Sequence, residues 1–205
     1  MHLSNPLATL TGDLTGSILE ALSRADTDFT GRQVARIVGA QHPNGVRKAL
    51  LRLVDSGLVT ARFEQRATLF RANRDHVLWP AVDLALSSRA ELLDRVTNLL
   101  HSYGDLVVSA AVFGSAADST ATAESDLDCV VVVRDDGTAT RESTRADLVN
   151  DLLHSVPLWS GNPAQVFDVT EADLAEMVST DDAMLQSWRD RSRTLAGVPF
   201  VQLVT

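Results

Sequence analysis

Asp126 and Asp128 open an apolar run, Asp126-Leu127-Asp128-Cys129-Val130-Val131-Val132-Val133. A short, β-branched run of this kind reads as a buried strand. Side chains alternate along a strand, so the two carboxylates project from one face about 6–7 Å apart, with Leu127 on the other. Two such groups repel one another, and keeping both ionised away from water is costly unless a cation lies between them. Hard oxygen ligands at a small spacing suit Mg²⁺. Downstream, Ala164-Gln165-Val166-Phe167-Asp168-Val169 reads as another short strand, and its one carboxylate, Asp168, has no partner among its sequence neighbours. Three acids on adjacent strands make a two-metal phosphoryl-transfer site. Asp126, Asp128 and Asp168 are therefore the candidate catalytic and metal-binding residues.

The strand that precedes them is Leu106–Phe113, which ends in Gly114-Ser115 and a polar loop to Ser125. Gly-Ser, ten residues and Asp-x-Asp, in FGSAADSTATAESDLDCVVVV, resembles the polymerase-beta-like nucleotidyltransferases, and among them the minimal nucleotidyltransferases of bacteria and archaea. The resemblance spans roughly residues 80–205. It implies a mixed α/β fold whose central sheet carries the three aspartates. Gly114 and Ser115, at the start of a helix, would hold a triphosphate through backbone N–H groups and the hydroxyl, with Ser125 beside them in the nucleotide site. Asp126 and Asp128 would hold two Mg²⁺ ions, and Asp168 would complete the second ion's shell and help deprotonate the acceptor. The implied reaction is in-line attack on the α-phosphorus of a nucleoside triphosphate, with pyrophosphate leaving. The acceptor hydroxyl would belong to a protein, an RNA or a small molecule, since the family's members occur in toxin–antitoxin and defence settings. Many members carry arginines directly after Gly-Ser and two residues on. Here those positions are Ala116 and Asp118, which lowers the expected hold on a triphosphate.

The net charge of −9 over 205 residues argues, taken whole, against a nucleic-acid binder. It is unevenly spread: residues 1–76 carry ten Lys and Arg against seven Asp and Glu, and the remainder eight against twenty. Cys129 is the one cysteine, so neither an intramolecular disulfide nor a thiolate zinc finger can form, and its apolar setting reads as burial. No basic segment followed by an apolar core opens the chain, and no apolar run reaches the length that spans a bilayer. A cytoplasmic setting with no membrane partner is the expectation.

The basic third has its own pattern. Leu14, Ile18, Leu19 and Leu22 share a helical face. Thr30-Gly31-Arg32-Gln33 fits a capping box, and Pro43 suits the first turn of a helix over about 44–56. That helix buries Val46, Leu50, Leu53 and Val54 and turns Arg47, Lys48 and Arg52 outward. Leu58–Phe63 and Ala67–Ala72 read as a hairpin. TGRQVARIVGAQHPNGVRKALLRLVDSGLV resembles the winged helix-turn-helix family, which implies a third helix in the major groove of double-stranded DNA and a wing on the backbone. Asn44, Arg47 and Lys48 would then lie near bases or phosphates, and Arg52, Arg62 and Arg66 near phosphates.

The expected fold class is α+β: a winged helix domain over residues 1–76, then a mixed α/β nucleotidyltransferase domain over 77–205, joined near Trp79-Pro80. A single small module makes few phosphate contacts, so a homodimer is expected. One long helix, or two broken near Ser87-Ser88, is expected over 81–100, and a later helix over about 181–195 with Leu195 inward. The alternative to an enzyme is a transcriptional regulator whose second domain only binds nucleotide or mediates dimerisation.

Overall fold

The structure, a computed structural model, describes residues 1–118 and 121–204, with Asp118 represented by its backbone alone. The chain divides into two compact units, one of His2 with Ser4–Ser88, the other of Met1 and Leu3 with the residues from Arg89 on.

The first unit opens with α1 (Pro6–Thr11), capped by the Asn5 side chain, and α2 (Asp13–Ser23). Gly16 lets the two approach, because a Cβ there would fall 2.6 Å from the Ala8 backbone. A short strand, β1 (Phe29–Thr30), leads into α3 (Gly31–Ile37). The capping box at its start is formed: Gln33 N donates to Thr30 Oγ1 at 3.3 Å, and Gln33 Oε1 accepts from Thr30 N at 2.7 Å. Next come α4 (Pro43–Asp55), with Pro43 in its first turn, and the antiparallel strands β2 (Val59–Glu64) and β3 (Ala67–Ala72). Gln65 and Arg66, at φ 43° and 72°, make the two-residue turn between them, the geometry that matches the twist of a hairpin. The sheet order is β1-β3-β2. Ile18, Leu22, Val34, Val46, Leu50 and Phe70 fill the core with Val82 and Ala85. Those last two belong to α5 (Trp79–Ser102), which runs without a break through Ser87-Ser88.

In the second unit, β4 (Val107–Phe113) leads into the short α6 (Gly114–Asp118), and β5 (Leu127–Val133) into α7 (Ala139–Ser160). Then follow β6 (Ala164–Thr170), α8 (Glu171–Ser179), α9 (Ala183–Arg191), β7 (Arg193–Gly197) and α10 (Phe200–Leu203). The sheet order is β6-β5-β4-β7, with β5 and β6 parallel and the other pairs antiparallel. Each face is covered. Leu127, Cys129, Val131 and Val133 of β5 pack with Leu92, Val96 and Leu100 of α5 and Leu148, Leu152 and Val156 of α7. Val130 and Val132 face the other way, onto Phe113, Leu174, Leu185, Trp188 and Phe200. Phe113, Phe167, Trp188 and Phe200 meet edge-on or tilted there, with ring centroids 5.7–6.2 Å apart.

The helix expected over 181–195 stops at Arg191, and Leu195 lies in β7, hydrogen-bonded to β4. Gly197 fixes that edge: its φ is +74°, and a Cβ would lie 2.1 Å from the Val108 carbonyl oxygen. Short apolar segments carry too few residues to separate a last helical turn from a strand. No helix among the described residues is long and apolar enough to cross a membrane.

Candidate functional site

Asp128 lies at the start of β5, opposite Phe113 on β4 and Gln165 on β6. It shares its face with Val130 and Val132, and so borders the apolar layer that these valines form with Phe113 and Trp188. Burial, and then the neighbouring Asp126 carboxylate, pushes the Asp128 carboxyl above the ordinary range. Gly114 begins α6 at φ +63°, and a Cβ on it would fall 2.9 Å from Asp128 Oδ2. Asp128 is thus seated over a backbone position that no side chain obstructs. Ser115 follows, half-buried. Ala116 is 2% exposed and packs into the core, so that position holds a small side chain for packing. Its carbonyl and that of Ala117 accept from the Arg89 guanidinium. The side chain of Asp118 lies outside the described residues.

The loop into Asp126 is tied down from the start of β6. Asn162, fully buried, donates Nδ2 to the carbonyls of Ala123 at 3.2 Å and Ser125 at 3.0 Å. Leu127 N donates to the Pro163 carbonyl at 2.8 Å. The Ser125 hydroxyl is engaged inside its own loop, accepting from Thr122 N at 2.8 Å. Gln165 Nε2 donates to Asp126 Oδ2 at 2.5 Å.

Asp168 does not join this group. In the parallel register it stands opposite Val131, whose side chain faces α5 and α7, whereas Gln165 stands opposite Asp128. Strand alternation therefore sends Asp168 to the face away from Asp126 and Asp128. There its Oδ2 accepts from Arg145 Nε of α7 at 2.6 Å, and its carbonyl from Arg145 Nη2 at 3.0 Å. Asp168, expected as a third ligand, has as its partner an arginine 23 residues upstream, on α7. Gln165 and Asn162 are the polar residues the sequence reading passed over. Asn-Pro at the start of a strand was a visible signal for the second.

Asp126 and Asp128 are a donor set that fits one divalent cation: two hard oxygen groups, one of them destabilised as an anion by burial and by its neighbour. No cluster of three or more His, Cys, Asp or Glu among the described residues has the arrangement to hold a metal ion. The two-ion arrangement expected with Asp168 lacks its third carboxylate.

A second candidate surface lies on the first unit. Thr30, Arg32, Asn44, Arg47, Arg66 and Thr68 border a groove of about 690 Å³ between the first turns of α3 and α4 and the β2–β3 turn. Arg47, Lys48 and Arg52 are exposed on α4, and no ion pair among the described residues engages them or Arg66. Arg62 differs: it is paired with Asp28 at 2.6 Å and Glu64 at 3.0 Å. Arg71 is likewise paired with Asp26 at 2.7 Å.

Residues 93–180 match the family described as nucleotidyltransferase domain. That segment holds Gly114, Ser115, Asp126, Asp128, Gln165 and Asp168. No curated protein matches the chain. Among solved structures the chain is similar to one described as "Crystal structure of the toxin-antitoxin with AMP-PNP", at 16% identity and a TM-score of 0.38, over 55% of this chain and 80% of that one.

Proposed function

We propose that this chain couples a DNA-binding winged helix to a nucleotidyltransferase domain that takes a nucleoside triphosphate with Mg²⁺ and transfers its nucleoside monophosphate to an acceptor hydroxyl. The observation that carries this reading is the gathering of Gly114, Asp126 and Asp128 at one end of the β4–β5 pair, inside the matched segment. The Gly114 and Ser115 backbone N–H groups and the Ser115 hydroxyl bind the triphosphate. Asp126 and Asp128 hold the cation, which offsets phosphate charge when bound. Gln165 orients Asp126 through its amide, and Asn162 holds the incoming loop in register with β5. The acceptor oxygen bonds to the α-phosphorus as pyrophosphate leaves. A protein or RNA acceptor in a toxin–antitoxin or defence setting fits this chemistry.

The winged-helix reading is supported by the order α2, β1, α3, α4, β2, β3 and by cations on α4 and at the hairpin turn that no ion pair among the described residues engages. Two copies on one duplex would supply the phosphate contacts that one module lacks.

Incubating the purified chain with Mg²⁺ and α-labelled nucleoside triphosphates, with lysate protein and RNA as acceptors, tests the enzyme. Label transfer that Asp128→Asn abolishes is the expected result. Transfer that survives Asp128→Asn, or no transfer at all, overturns it. One observation favours a second reading, a regulator that binds nucleotide without turning it over: Asp168 faces Arg145 instead of the site. Calorimetric binding of a nucleoside triphosphate without label transfer is its signature.

A further inference from the structure

We propose that Gln165 occupies the place of a third carboxylate and limits this site to one divalent cation. The inference rests on reading the site as a nucleotidyltransferase centre. The register pairs Gln165 with Asp128 across two parallel strands, and alternation puts both side chains on one face. The contact to Asp126 proves the reach, since Gln165 Nε2 lies 2.5 Å from Asp126 Oδ2. No other residue of β6 meets both conditions. Phe167 and Val169 share the face but are apolar and belong to the aromatic and aliphatic layer, and Asp168 is turned away.

The chemistry of the amide decides the ion count. A carboxylate at this place would bring a third negative charge and two further oxygen ligands, enough to hold a second Mg²⁺ beside the first. Gln165 brings no charge. Its N–H groups are donors, and one of them already uses an oxygen of Asp126 that a second ion would need. A neutral donor directed at a ligand carboxylate orients that ligand, as outer-shell hydrogen bonds do at metal sites, while keeping a second cation out. The remaining oxygens of Asp126 and Asp128 suffice for one.

Gln165 is exposed, so it can be replaced without opening the core. Gln165→Glu keeps the length and shape of the side chain and exchanges the donor for a carboxylate. Gln165→Ala removes the hydrogen bond without adding charge. Mn²⁺ is the probe: titrating the full chain and reading bound ion by electron paramagnetic resonance, the wild type saturates at one ion per chain, Gln165→Glu at two, and Gln165→Ala at one. A wild type that binds two, a Glu variant that gains none, or an Ala variant that also gains one overturns the proposal. A parallel titration with a non-hydrolysable nucleoside triphosphate separates the two readings. Ion counts as expected with no nucleotide bound leave the role of Gln165 standing and remove the nucleotidyltransferase reading beneath it.

Discussion

The Asp128 carboxylate and the Gly114 backbone occupy adjoining space, with 2.9 Å between Asp128 Oδ2 and the point where a Gly114 Cβ would be. Gly114 also holds φ at +63°, a region that side chains enter only at a cost. The two constraints are independent and act on the same residue. Gly114→Ala should therefore lower stability by about 1–3 kcal/mol. It should also displace the Asp128 carboxyl, so that Mn²⁺ and nucleotide binding weaken more than the stability loss alone explains. Denaturant unfolding and an ion titration on the same preparation check both. A stable variant with unchanged ion affinity would mean that Asp128 does not depend on Gly114.

Asp168 makes the opposite case. Its ion pair with Arg145 joins β6 to α7 on the face away from the site, with both side chains less than a third exposed. Asp168→Ala leaves the Arg145 guanidinium without that partner and should cost about 1–3 kcal/mol. Mn²⁺ stoichiometry, nucleotide affinity and label transfer should not change in the chain that remains folded. Loss of ion binding in a folded Asp168→Ala chain would restore the carboxylate to the site.

That Asp126 lies beside Asp128, as the spacing predicts, while Asp168 faces away from both is a matter of reference. The Asp-x-Asp spacing sends two side chains the same way along one extended segment, at the entry to β5, which needs no knowledge of the rest of the fold. Whether a residue on a second strand joins them depends on the register between the strands, and a slip of one residue exchanges the faces. Nothing local to Ala164–Thr170 sets that register. It is set by α7 and by the packing of Val166 and Phe167 on opposite faces. The capping box at Thr30 and Gln33 and the first-turn Pro43 were legible for the converse reason, since a cap is decided within four residues. β7 was not legible, because its pairing with β4 joins segments more than eighty residues apart.

The acidity of Asp128 gives the site a pH signature. Burial, then Asp126, raises its carboxyl above the unfolded value, which is about 3.9 for an unperturbed aspartate. A raised carboxyl favours the protonated fold, so its stabilising contribution is complete below the unfolded value and is lost as pH rises through the folded one. Without divalent cation, Asp128→Asn should melt with the wild type in acid and above it near neutrality, the gap opening across that window. Mg²⁺ should then raise the neutral-pH melting temperature of the wild type and not that of the variant. Thermal melts at pH 4 and pH 7, with and without Mg²⁺, read both effects. A variant that melts below the wild type at pH 7 without the ion would show that the Asp128 charge is compensated within the chain.

Under the proposed DNA-binding role, the arginines of the first unit should contribute unequally, because their surroundings differ. Arg62 already has two carboxylate partners, at 2.6 Å and 3.0 Å, and must give up those contacts to reach a phosphate. Arg47 and Lys48 stand exposed on α4, and Arg66 borders the groove at the hairpin turn with no ion pair to it among the described residues. Each phosphate contact adds about 0.9 to the slope of log affinity against log salt. Arg47→Ala with Lys48→Ala should flatten that slope by about 2, and Arg66→Ala by about 1. Arg62→Ala should change it by less than either. Mobility shifts of one duplex at three or more salt concentrations measure all three. If the Arg62 variant loses the most, the β2–β3 hairpin meets the backbone through its strand instead of its turn. If no variant alters the slope, the basic face of α4 is not a DNA contact.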